Sequence, residues 1–62
     1  MQRFRLVDAD GNDLGPFVTN AARWNPGDRI HRGSEGDLIV LRMVDADADD
    51  NVDGYLVVEP AS

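Results

Sequence analysis

Alternation of apolar and polar residues is the clearest pattern in the chain. From Gln2 to Val7, Phe4 and Leu6 alternate with Arg3 and Arg5. A period of two puts one set on the core side of a strand and the other in water. The cluster Asp8-Ala9-Asp10-Gly11-Asn12-Asp13 comes next. Aspartate and asparagine accept hydrogen bonds from backbone N–H groups two residues on, and glycine admits positive φ, so the cluster predicts a hairpin. Leu14-Gly15-Pro16-Phe17-Val18 is the return strand. Pro16 has no N–H to give to a ladder, which assigns it to an edge or a bulge.

Thr19 to Gly27 has no period. Thr19 or Asn20 caps at most one short helical turn near residues 20–24, and Pro26-Gly27 closes the stretch as a turn. A short third strand covers Asp28–His31, and Arg32–Asp37 is a loop holding Gly33 and Gly36. Leu38–Val44 is apolar at every position except Arg42, which predicts a central strand apolar on both faces. Asp45–Asp53 is an acidic loop that like charges keep solvated and extended. The last strand, Gly54–Glu59, stops at Pro60. Residues 1–60 therefore read as a single small β domain. Its expected fold is all-β, five short antiparallel strands in an SH3-like barrel or rolled sheet.

Size and composition narrow the classes open to such a domain. A 62-residue chain buries only about 60% of its unfolded surface, so it gains from any cross-link or partner. With no cysteine and one histidine, His31, it has no disulfide and no Cys- or His-rich zinc site. Twelve Asp and Glu residues face six arginines and no lysine, for a net charge of −6. That sign repels phosphate backbones and argues against generic nucleic-acid or anionic-membrane binding. No apolar stretch reaches membrane-spanning length and the N-terminus has no apolar signal core. The expected location is the cytoplasm.

Candidate chemistry is sparse. Asp49-x-Asn51-x-Asp53-Gly54 has the opening of a calcium loop of the EF-hand type. The twelfth place, which needs a bidentate glutamate, is Pro60, and the segment after Gly54 reads as a strand, so no metal site is assigned. His31 has Ser34 and Asp37 near it in sequence but no triad or nucleophile-elbow motif. No enzymatic activity and no cofactor are expected. Arg23 and Trp24, with Arg29 and Arg32 close behind, form the densest cationic group. Arginine forks bind carboxylates and phosphates while indole offers a stacking surface; alternatively Trp24 is core and the arginines pair with Asp28, Glu35 and Asp37. Pro26-Gly27-Asp28-Arg29-Ile30, followed by a glycine-rich turn, resembles the start of a KOW-type strand in ribosomal and transcription-factor barrels. The stretch is short and the basic surface of that family is missing, so nucleic-acid binding is not carried over.

The two-sided apolar character of the strongest strands is the remaining clue. If Ile39, Leu41 and Met43 face the core, then Val40 and, on the last strand, Val58 lie on an exposed apolar face, and such faces mark interfaces. The expected function is a non-catalytic protein-interaction or accessory module that binds another protein or its own copy. Its contacts would come from Val40 and Val58 or from the Trp24 loop. The alternative is a binder of a small anionic ligand or nucleic acid through Arg23, Trp24, Arg29 and Arg32.

Overall fold

Arginines at positions 3 and 5 force Phe4 and Leu6 to one side of the first strand, and the rest of the sheet is built on that side. The structure, a computed structural model, describes residues 1–61, the side chain of Glu35 excepted. Five strands form one sheet: β1 (Gln2–Asp8), β2 (Asp13–Thr19), β3 (Arg29–Ile30), β4 (Leu38–Asp45) and β5 (Gly54–Pro60). Their order is β2-β1-β5-β4-β3, so β2 and β3 are the two edges. The sheet curls into a half-barrel around the side chains of its inner face. No α-helix occurs among the described residues; one 3-10 turn, Gly33–Glu35, lies in the loop before β4.

The first hairpin forms as its composition predicts. Asp8 Oδ1 accepts from the N–H groups of Asp10 and Asn12, and its Oδ2 accepts from the Asn12 side chain. Gly11 takes φ 88°, where a Cβ would be strained. Phe4 then lies opposite Phe17, and Arg5 opposite Pro16.

The sheet is mixed, a correction to the wholly antiparallel arrangement expected. β5 runs parallel to β1, with Leu6 opposite Leu56 and Val7 opposite Val57. Alternation fixes which face a residue takes, but not the direction of the neighbouring strand. β2 occupies one edge of β1, so the β4–β5 hairpin docks on the other, in the orientation that brings its apolar residues to the Phe4 side. Asp53 fastens the junction: its Oδ2 accepts from the N–H of Arg3 at 2.7 Å, and its own N–H donates to the Arg3 carbonyl at 2.7 Å.

Phe4, Leu6, Ile30, Leu38, Val40, Leu56 and Val58 make the core. On β4 a bulge between Val40 and Arg42 shifts the register by one residue: Val40 lies opposite Val58, Arg42 opposite Val57 and Met43 opposite Leu56. Leu38, Val40 and Met43 therefore all reach the core although their spacing breaks strict alternation.

The helical turn at 20–24 does not form. Thr19 Oγ1 accepts from the N–H of Ala21 at 3.2 Å, so the cap exists without a helix behind it. Pro26 disfavours helical backbone at Asn25. Trp24 is pulled instead onto the core, its ring edge-on to Phe17 with centroids 5.6 Å apart and planes at 66°. The chain then turns through Asn25–Asp28 and rejoins the sheet beside β4, where Gly27 N–H donates to the Val40 carbonyl and Val40 N–H to the Asp28 carbonyl.

Candidate functional site

With the core on the inner face, the outer face holds every residue of opposite parity. On β1 these are Arg3, Arg5 and Val7; on β5, Tyr55, Val57 and Glu59; on β4, Ile39, Arg42 and Val44; on β3, Arg29. The register lines them up in rows across the sheet: Arg5, Tyr55 and Val44 in one, Val7, Val57 and Arg42 in the next, and Glu59, Ile39 and Arg29 in a third. Val7, Ile39, Tyr55 and Val57 are half-buried and Val44 is 39% exposed. An aliphatic strip with one tyrosine therefore crosses the face, and arginines border it.

The charges are partly spent. Arg5 donates through Nε and Nη2 to Asp13 Oδ2, at 3.0 and 2.7 Å. Arg29 Nη1 and His31 Nδ1 both lie 3.2 Å from Asp37 Oδ2. Among the described residues, Arg3 and Arg42 make no ion pair. The acidic loops lie at opposite ends of the sheet, Asp8–Asp13 at the C-terminal end of β1 and Asp45–Asp53 at its N-terminal end. Burial, with the nearby Asp50 carboxylate adding to it, holds the Tyr55 phenol above its ordinary value.

The structure distributes the sequence-derived candidates rather than gathering them. Trp24 packs on the inner face against Phe17, with Nε1 buried and unpartnered among the described residues. Arg29 points to the outer face and is held by Asp37. Arg23 is exposed in the connection after β2. Arg32 flanks the 3-10 turn, and its Nε is buried without a partner among the described residues. Trp24 and Arg29 thus lie on opposite sides of the sheet. Of the expected carboxylate partners, Asp37 pairs with Arg29, Asp28 caps the N–H of Asn25, and the Glu35 side chain lies outside the described residues.

Val40 and Val58 are placed opposite to the expectation. Both are 0% exposed and face each other in the core, so neither offers a contact to a partner. The bulge after Val40 is the reason on β4, since it lets Leu38 and Val40 face inward together with Met43, and Val58 faces inward because it shares the parity of Leu56, which lies opposite Leu6. Their chain neighbours Ile39 and Val57 take the outer face instead. Asp53, the calcium-loop residue nearest Gly54, is engaged with the backbone of Arg3, and Asp50 Oδ2 accepts from the N–H of Asp47. Among the described residues no group of three or more His, Asp or Glu side chains converges to hold a metal.

These polar ties make stability depend on pH. The Asn12 amide and the backbone N–H of Asn12 hold the Asp8 carboxyl below its ordinary 3.8. The Arg5 guanidinium does the same for Asp13. At Asp37 burial pushes upward, but hydrogen bonds from His31 and Arg29 outweigh it and the net shift is down. A carboxyl depressed in the folded state stabilises it above the unfolded value and loses that contribution as pH falls through the folded one. The urea midpoint should therefore drop as pH falls below about 4. Asp8→Ala should cost stability at pH 7 and converge on the wild type in strong acid; a difference that stays constant with pH would show that the Asp8 charge plays no part.

A five-stranded mixed half-barrel with a closed inner core and an arginine-bordered apolar outer face is the class of domain these features define. No family model, curated protein or solved structure matches the chain, so the KOW-like stretch carries no family assignment. Among the described residues, no helix is long and apolar enough to cross a membrane.

Proposed function

We propose that the chain is a non-catalytic protein-interaction or accessory module that works through the outer face of its sheet. The observation that carries this reading is the strip of half-buried Val7, Tyr55, Val57 and Ile39 on the face opposite the core. Water-facing positions of a small acidic domain ordinarily hold charged or short polar side chains, and a contiguous apolar strip is the usual mark of an interface. The absence of cysteine suits a reducing compartment such as the cytoplasm.

The test compares two baits in pull-downs from host lysate, the wild type and Val57→Asp, with retained proteins quantified by mass spectrometry. Val57 points outward, so the variant keeps its fold. A protein retained at stoichiometric level by the wild type and depleted about tenfold or more by the variant, a loss of ~1.4 kcal/mol or more, supports the module reading. Identical retained sets would exclude the outer face as the working surface.

A further inference from the structure

The outer face collects cations that the chain as a whole lacks. Four of its six arginines, Arg3, Arg5, Arg29 and Arg42, point there, in a molecule of net charge −6. Asp13 and Asp37 already answer Arg5 and Arg29. Arg3 on β1 and Arg42 on β4 have no ion-pair partner among the described residues, and they stand on opposite sides of the strip formed by Tyr55 and Val57. Two interstrand spacings, about 10 Å, separate β1 from β4, and Arg42 is level with Val7, about 13 Å along β1 from Arg3, so the two arginines lie on a diagonal across the strip.

Resting on the module reading above, we infer that this face docks an acidic segment of a partner protein. Aliphatic side chains of the segment pack on Val7, Tyr55 and Val57, and its carboxylates pair with Arg3 and Arg42. The net charge of the chain does not forbid this. Asp50 stands near Tyr55 at the Asp45–Asp53 end of the face, but among the described residues no carboxylate pairs with the Arg3 or Arg42 side chain, and at physiological salt more distant exposed charges are screened over about 8 Å. A segment lying diagonally across the strands reaches both unpaired arginines.

The other occupants fit less well. A second copy would bring the same arginines face to face. Single-stranded nucleic acid takes aromatic stacking platforms, whereas this strip is aliphatic apart from Tyr55. Strand addition at an edge is hindered, because β3 has two residues and Pro16 interrupts β2.

The test is a titration of the 15N-labelled 62-residue protein, read by amide chemical shifts. The probes are a short peptide of glutamate and leucine, its glutamine and lysine counterparts, and oligothymidylate. The glutamate peptide should shift the amides of Arg5, Val7, Arg42 and Val57 saturably. The Arg3→Glu/Arg42→Glu double variant should weaken that binding about tenfold, as expected for loss and reversal of two exposed ion pairs. Arg3→Gln/Arg42→Gln should give a smaller loss, and it replaces the reversed variant if that one fails to fold. Equal binding of the glutamine peptide would overturn the acidic partner while leaving the interface reading intact. Preference for the lysine peptide, shifts produced by oligothymidylate on this face, or glutamate-peptide shifts confined to Arg23 and Arg32 would also overturn it. If no probe moves the face, the acidic segment is excluded, and the Val57→Asp pull-down separately decides whether the face binds protein at all.

Discussion

Val58→Asp should unfold the domain, whereas Val57→Asp, one residue earlier on the same strand, should leave it folded. Val58 is 0% exposed and packs in a core of Val40, Leu56, Leu6 and their neighbours. An aspartate there meets none of the strand arginines, because Arg3, Arg5, Arg29 and Arg42 all point the other way. Burying an unpaired carboxylate costs several kcal/mol even after relaxation. A chain of 62 residues has a total stability of only about 3–9 kcal/mol, so that one substitution consumes most or all of it. Val40→Asp should behave alike, since Val40 faces Val58. At Val57, half-buried on the outer face of the middle strand, the carboxylate stays hydrated beside Arg42 and the loss is about 1 kcal/mol, the span of strand propensity. Far-UV circular dichroism and urea titration at pH 7 separate the two. A Val57→Asp variant less stable than Val58→Asp would mean that the faces of β5 are assigned the wrong way round.

That pair of substitutions also marks the boundary of what the sequence reveals. β1 was legible because Arg3 and Arg5 leave Phe4 and Leu6 only one way to face, and the Asp8–Asp13 turn was legible because each residue in it has local turn chemistry. Every strand appears within about two residues of its expected ends, the usual precision of boundaries. β4 was not legible in the same way. Leu38–Val44 is apolar on both parities, so nothing in the pattern announces a bulge, and the bulge decides that Val40 faces in while Ile39 faces out. The parallel pairing of β1 with β5 is a non-local choice that local propensity does not encode. Trp24 follows the same logic: its surroundings suggest a turn of helix, but an indole gains more by covering the open side of a half-barrel against Phe17. The arginine face stayed hidden for these reasons together. Arg3 and Arg5 could be read from alternation, and Arg42 faces outward beside Met43, but that all three share one sheet face depends on the parallel pairing of β1 with β5, and Arg29 joins them only through a two-residue strand whose register is set by Ile39. The Arg23, Trp24, Arg29 and Arg32 group was near in sequence and is divided in space.

Phe4 and Gly54 should prove energetically coupled, and a double-mutant cycle should show it. They lie opposite each other where β1 meets β5, and Gly54 also pairs with Asp45 at the end of β4. A Cβ on Gly54 would stand 3.0 Å from the Val44 carbonyl oxygen and 3.2 and 3.3 Å from Cε1 and Cδ1 of Phe4. Gly54 is not among the glycines with positive φ, so the constraint is one of space, not of backbone conformation. Gly54→Ala then displaces a ring that is only 1% exposed, at a cost of about 1–3 kcal/mol for overpacking. Phe4→Ala removes the largest side chain of the core and should cost ~3–5 kcal/mol, which leaves a domain this small at the edge of folding. Phe4→Leu is therefore the better background for the cycle. In it the new methyl at position 54 meets a shorter side chain, and only the Val44 carbonyl still resists. The Gly54→Ala penalty should fall by about 1 kcal/mol between the wild-type and Phe4→Leu backgrounds, within the range seen for residues in contact. Urea midpoints of the four proteins measure the coupling directly. Strict additivity would mean that the ring does not abut the glycine, and with it the parallel register of β1 and β5 would have to be redrawn.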